Sequence, residues 1–194
     1  MDIFDLEKKD NKYDLINVKN VIEELEDHNL AFQMIYNLLE PKGLVNISTK
    51  SKIAYQNVSK ALELASKEIN IDEKDDKTLK ELRSLVRKSN NNIIKYLGIL
   101  PQFNNRNDLY HLLFPISKSF LDIPKLSELI KKNKFKFIGW GRFVPQEIKK
   151  TIYHQYKKEY PEDENYKNLE NWNSFEKRHP SIFVNDYDFW LEKS

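Results

Sequence analysis

The sequence contains no cysteine and only four glycines, and its 32 basic residues are nearly all lysine. Absence of cysteine excludes a disulfide scaffold and any thiolate-ligated metal or redox centre. Four glycines are too few to build a phosphate-cradling loop or a dinucleotide fingerprint, and neither pattern occurs. No run approaches the roughly 18 apolar residues of a membrane span. Neither sign of charge dominates: 30 acidic residues oppose the 32 basic ones, leaving a net charge of +2. A broad basic field for duplex nucleic acid is therefore missing. The opening Met1-Asp2-Ile3-Phe4-Asp5-Leu6-Glu7 has neither the basic start nor the apolar run of a secretory signal. A cytoplasmic protein without membrane association is expected.

Present instead are 194 residues that are 40% hydrophobic. That length suits one domain, or one domain with a small appendage. The Lys- and Asn-rich composition has the look of an AT-rich genome. Val18, Val21, Ile22, Leu25, Phe32, Ile35, Tyr36 and Leu39 recur at three- and four-residue steps, which predicts a first helix capped by Asn17 and stopped by Pro41 and Gly43. Ala54, Val58, Ala61, Leu62, Ala65 and Ile69 predict a second helix. A third begins with the capping box Thr78-Leu79-Lys80-Glu81 and runs past Ile93 and Leu97 to Gly98. A shorter segment around Leu109, Leu112 and Leu113 and a helix after Asp122 and Pro124 follow.

The texture changes at Lys134. Lys134-Phe135-Lys136-Phe137-Ile138 alternates with period two and reads as a strand, ended by Gly139-Trp140-Gly141. Pro145 opens another helix. The last forty residues, with Trp172, Phe175, Phe183, Tyr187, Phe189 and Trp190, read as short helices and loops. The expected fold class is mainly α. A flexible arm (1–14) precedes a helical bundle (15–132), and a small aromatic-rich C-terminal lobe (133–194) with at most a short strand or hairpin packs on it.

Chemistry is suggested at one place. Arg106-Asn107-Asp108-Leu109-Tyr110-His111 sets a histidine five positions after an arginine that a polar residue follows. Histidine titrates near neutrality and serves as general acid or base; arginine grips phosphate oxygens with a fixed fork. The hexapeptide resembles the signature of the HEPN superfamily of helical ribonucleases. Phe114, Ile116 and Ser117 after it are similar to the HepT-type toxins. The resemblance implies metal-independent RNA cleavage by Arg106 and His111 with Asn107 assisting, and a homodimer whose two motifs line one cleft.

Other patterns favour packing. Gly139-Trp140-Gly141-Arg142-Phe143-Val144 nears an RNA-recognition motif, but the inserted Arg142 throws Phe143 to the opposite face. Ser48 to Leu62 has a helix-turn-helix flavour without its turn glycine. No pair of histidines stands at metal spacing, so no metal and no cofactor are expected. Aromatic residues crowding the last third are the usual anchors of protein interfaces. The favoured expectation is thus a small soluble helical adaptor or inhibitor, suited to a virus or mobile element. It would bind a protein partner through Trp140, Arg142, Trp172, Phe189 and Trp190. The HEPN-type endoribonuclease is the alternative.

Overall fold

Alternation, not helical periodicity, governs the first ordered segment. The computed structural model describes residues 12–71, 75–114, 119–141, 146–180, 182–183 and 186–194. Tyr13–Lys19 form strand β1, with Val18 buried and Leu15, Asn17 and Lys19 on the opposite, exposed face. A short 3-10 turn, Ile22–Glu24, leads to helix α1, His28–Leu38. Asp27 caps α1 by accepting a hydrogen bond from the Leu30 N–H at 3.0 Å. The first expected helix is therefore a strand, a turn and a helix. Asn17 lies inside β1 and caps nothing.

Strand β2, Leu39–Lys50, follows α1 without a connecting residue. Pro41 cannot continue the helix, and at Gly43 a Cβ would stand 2.8 Å from the Glu40 carbonyl oxygen. Helix α2, Lys52–Ala65, is capped by Ser51 and buries the expected Ala54, Val58, Ala61 and Ala65. The third expected helix divides into α3, Asp76–Lys88, and α4, Asn92–Ile99. The cause is local: Asn91 accepts from the Ile93 N–H at 2.9 Å and starts a new helix there. The cap of α3 is Asp75, not Thr78, and Gly98 sits within α4. Helices α5, Arg106–Leu113, and α6, Ile123–Lys132, are capped by Asn105 and Asp122.

Strand β3, Phe135–Trp140, covers the alternating segment and runs on through Gly139 and Trp140, which were expected to end it. Helices α7, Gln146–Glu159, and α8, Leu169–Arg178, come next. The chain then forms strand β4, Asp186–Lys193, where only short helices and loops were expected. Its period-two pattern is plain: Tyr187, Phe189 and Leu191 are buried, and Asp186, Asp188, Trp190 and Glu192 face the other way.

The four strands make one mixed sheet in the order β1-β2-β4-β3. β1 and β2 are parallel, with α1 as the crossover between them. β4 runs antiparallel to both β2 and β3. Strands β1, β2 and β3 therefore end on the same side of the sheet. One face is covered by α1, α6, α7 and α8 over a core that includes Phe32, Ile47, Leu126, Tyr156, Trp172, Phe175 and Phe189. Helices α2 to α5 enclose a second core with Val58, Leu82, Val86, Leu97 and Leu109. The mainly-α expectation is thus corrected to an α/β fold: the sheet takes two strands from each side of the expected boundary after residue 132. Residues 1–11 of the expected arm lie outside the described residues, and Tyr13 and Asp14 belong to β1.

Candidate functional site at the carboxyl ends of the strands

In open α/β sheets the carboxyl ends of parallel strands are where loops converge and ligands bind. Here the sheet register builds a polar row at that end. Lys19 of β1 lies opposite Ser48 of β2, and Ser48 lies opposite Asp188 of β4. The Lys19 ammonium reaches across β2 to the Asp188 Oδ2 at 2.8 Å. Asn46 donates from Nδ2 to Asp188 Oδ1 at 2.9 Å and to the Phe189 carbonyl at 3.1 Å, and its own Oδ1 accepts from Lys19. Asp188 is thereby fixed as an ion-paired, hydrogen-bonded carboxylate.

The next row holds Lys50 opposite Asp186. Buried Glu23 accepts from the Thr49 hydroxyl at 3.0 Å and lies 3.7 Å from Lys50 Nζ. The Asp186 carboxyl is pushed up to about 6 by burial, with Lys50 opposing and Glu23 and Asp188 adding to the rise. A carboxyl that changes protonation near neutrality is a candidate proton carrier. Chain geometry frames this rim. Asn20 takes a left-handed φ of 54° just after β1, and its N–H donates to the Ser48 carbonyl at 2.9 Å.

Gly141, directly after β3, sits over the same carboxylate. Its N–H donates to the Asp188 carbonyl at 2.7 Å, and a Cβ there would lie 2.1 Å from Asp188 Oδ1. Gly141→Ala must displace the carboxylate or the backbone, and overpacking of this kind costs about 1–3 kcal/mol. The expected outcome is a lowered thermal midpoint, read by circular dichroism. An unchanged midpoint would show that the Asp188 side chain moves aside freely.

Behind the rim, Glu176 of α8 is fully buried and joins three elements. Ser51, at the start of α2, donates to Oε1 at 2.7 Å, and Tyr187 of β4 donates to Oε2 at 2.7 Å. Burial outweighs both donors and pushes the Glu176 carboxyl up to about 7. Among the described residues no group of three or more His, Asp or Glu side chains is placed to hold a metal ion.

The residues singled out from the sequence lie elsewhere. Arg106, Asn107 and His111 are exposed on α5 in the helical lobe. Arg106 is engaged with Asp76 at 2.6 Å, and its Nη1 donates to Asn107 Oδ1 at 3.5 Å. His111 meets the Tyr110 ring edge-on at 6.0 Å. Five residues along an α-helix turn about 140° around its axis, so the guanidinium and the imidazole leave α5 on different sides. Trp140, Trp172 and Phe189 are buried in the sheet core. Trp190 is half-buried on the opposite face, close to Gly141. Arg142 lies outside the described residues. Sequence reasoning does not find Lys19, Asn46, Asp186 and Asp188. The signal that could have found the last two is the Asp-Tyr-Asp-Phe-Trp-Leu-Glu alternation of 186–192.

Comparison with known proteins supports the sheet and not the ribonuclease. No family model matches the sequence, and no curated protein matches it. Among solved structures, PKMT2 from Rickettsia typhi matches over 98% of this chain with a TM-score of 0.63 at 12% identity. The same protein in complex with AdoHcy matches over the whole chain with a TM-score of 0.59, also at 12% identity. The chain spans 37–38% of the length of these structures. The cyclopropane synthase MmaA2 from Mycobacterium tuberculosis reaches only 0.43, at 14% identity and over 96% of this chain and 57% of its own. The likeness to PKMT2 shows an α/β fold, which overturns the all-helical class and with it the HEPN resemblance and the adaptor and endoribonuclease readings built on a helical bundle. No helix among the described residues is long and apolar enough to cross a membrane.

Proposed function

We propose that the chain takes part in methyl transfer from an S-adenosylmethionine donor and supplies the acceptor side of the reaction crevice. The observation that carries this is the likeness in fold, over its whole length, to a protein solved with AdoHcy, the demethylated form of that donor. The polar rim at the carboxyl ends of β1 and β2 supports it, since that is where an α/β sheet holds its ligands.

The described residues do not by themselves form a cradle for AdoHcy. A nucleoside bearing an amino-acid tail needs backbone that it can approach closely and polar groups free to receive its ribose and its charged end. The turn after β1 has no glycine, Asn20 spends its N–H on Ser48, and Ile22 beyond it is fully buried. Gly43 and Gly139 lie within strands, Gly98 lies within α4, and the open side of Gly141 is filled by Asp188. Glu23 and Asp188 are committed to Thr49, Lys50, Lys19 and Asn46. The contribution of these residues is to orient a nucleophilic acceptor against the Lys19–Asp188 pair.

The test is metabolic labelling with methyl-tritiated methionine in the source organism. Deleting the gene is expected to remove at least one labelled macromolecule. The parent gene restores it, and Asp188→Asn does not. Identical labelling with and without the gene would overturn the reading.

A further inference from the structure

We propose that the helical lobe α2–α5 is a hinged lid over the polar rim, pivoting where the chain passes Ser51 and Leu121, and that the contact between Glu176 and Ser51 holds it shut. The proposal goes beyond the methyl-transfer reading and stands without it, because lid movement is read with no donor or acceptor present.

The two cores are the first observation. The residues enclosed by α2–α5, such as Val58, Leu82, Leu97 and Leu109, and those packed on the sheet, such as Phe32, Ile47, Trp172 and Phe189, form separate clusters with no member in common. Two bodies of one chain move relative to each other unless a large apolar interface joins them.

The connection is the second. The chain leaves the sheet at Ser51, directly after β2, and returns through Leu121 just before α6. These two residues pair side by side as a parallel bridge. The Lys52 N–H donates to the Leu121 carbonyl at 2.8 Å, and Lys52 Nζ lies 3.3 Å from Asp122 Oδ2. Both crossings therefore share one narrow place at the carboxyl end of β2. That is the arrangement of a hinge, in which a few element-terminal residues absorb a rotation; two separated struts would forbid it.

The seam above the rim is the third. Gln102, in the lobe's short turn Pro101–Asn104, donates from Nε2 to Asp186 Oδ2 at 3.5 Å. This sets the lobe over the second row of the rim. The Gln102 Oε1 is buried and has no hydrogen-bond partner among the described residues. A buried acceptor without a partner favours hydration, so the seam itself does not hold the lid.

Glu176 does. It is fully buried on α8, which belongs to the sheet body, and it accepts from Ser51 at 2.7 Å, at the pivot. The titratable groups that face it from neighbouring elements are Tyr187 of β4, which donates at 2.7 Å, and Asp122 at the start of α6, which is paired with Lys52 of α2. Protonated, Glu176 adds no charge to the pivot. Ionised, it sets a buried carboxylate beside that of Asp122, and turning the lobe outward brings water to it. Its value of about 7 sets the range. The lid is shut below that pH and opens above it.

The chain has no cysteine, so introduced cysteines alone take spin labels. Ile99→Cys on α4 with Leu30→Cys on α1 reads the lobe against the body, and Leu15→Cys with Leu30→Cys reads the body by itself. These positions are 69%, 45% and 58% exposed for 99, 30 and 15. Pulsed electron–electron distance measurements at pH 5 and pH 8 are expected to show one lobe distance at pH 5 and a second, distinct one at pH 8. The ratio of open to shut should rise about tenfold or more, with the body pair unchanged. Glu176→Gln, which keeps partners for both hydroxyls, is expected to hold the pH 5 distance at both values. His28, which meets the Ser119 backbone just before the hinge, and Asp186 at the seam also titrate, and this variant separates them from Glu176. Identical lobe distances at both pH values, opening at the lower pH, an equal change in the body pair, or a Glu176→Gln variant as responsive as the parent each overturn the proposal.

Discussion

Raising the pH from 5 to 8 is expected to cost the folded protein about 3 kcal/mol at a single buried carboxyl, Glu176. Its folded-state value is about 7 against an ordinary 4.5, because burial penalises the charged form more than the Ser51 and Tyr187 hydroxyls reward it. Between those two values the folded state binds the proton more tightly than the unfolded state. The stabilisation is therefore fully present below pH 4.5 and is lost as pH rises through 7. Each pH unit that separates the folded and unfolded values is worth about 1.4 kcal/mol, which sets the size of the effect. Asp186, pushed up to about 6, works in the same direction. His28, buried and held below its ordinary 6.5, works in the opposite direction: it contributes stability as pH rises through 6.5. The Glu176→Gln variant separates the three. An uncharged amide keeps partners for both hydroxyls and removes the titration, so urea midpoints at pH 5 and pH 8 should converge. A variant as pH-sensitive as the parent would place the effect elsewhere.

Replacing Trp172 by alanine should be the most damaging single truncation, at about 3–5 kcal/mol. The indole is fully buried. It stacks on Tyr156 at 4.0 Å and 20°, and meets Trp140 and Phe175 edge-on at 5.8 and 5.7 Å. Its Nε1 donates to the half-buried Tyr166 carbonyl at 2.9 Å, a bond that truncation also removes. At ~2–4 °C per kcal/mol for a chain of this size, the thermal midpoint should fall by about 6–20 °C. Trp172→Phe keeps most of the ring contacts and loses the hydrogen bond, so it should lie between the two and remain foldable. An alanine variant melting within about 2 °C of the parent would show that this cluster closes over the gap.

These two residues show where the sequence is informative and where it is not. Residue type alone points to Trp172, but a large aromatic side chain anchors a core and an interface equally well. Only its place between α7, α8 and the sheet assigns it to the core. Nothing in the sequence points to Glu176, because a glutamate on a mostly polar helix is ordinarily solvated. Its burial follows from Ser51 and Tyr187, which lie 125 and 11 residues away. The hexapeptide at 106–111 has the right residue types for acid–base chemistry. In the folded chain Arg106 is engaged by Asp76 and His111 meets the Tyr110 ring, and residue types do not record those contacts.

The sequence by itself determined the local pieces of this protein. Ser51 and Asp122 start helices where they stand, and the apolar stripe of α2 and the alternation at 135–138 declare their own period. Only the tertiary structure decided that β1, β2, β3 and β4 form one sheet, and so that Lys19, Asn46 and Asp188 meet. Asn46 and Asp188 are 142 residues apart. A cap or a stripe is set by neighbours within one turn of chain, whereas strand pairing depends on which distant segment offers a matching register and apolar face. That choice is made when the whole core closes.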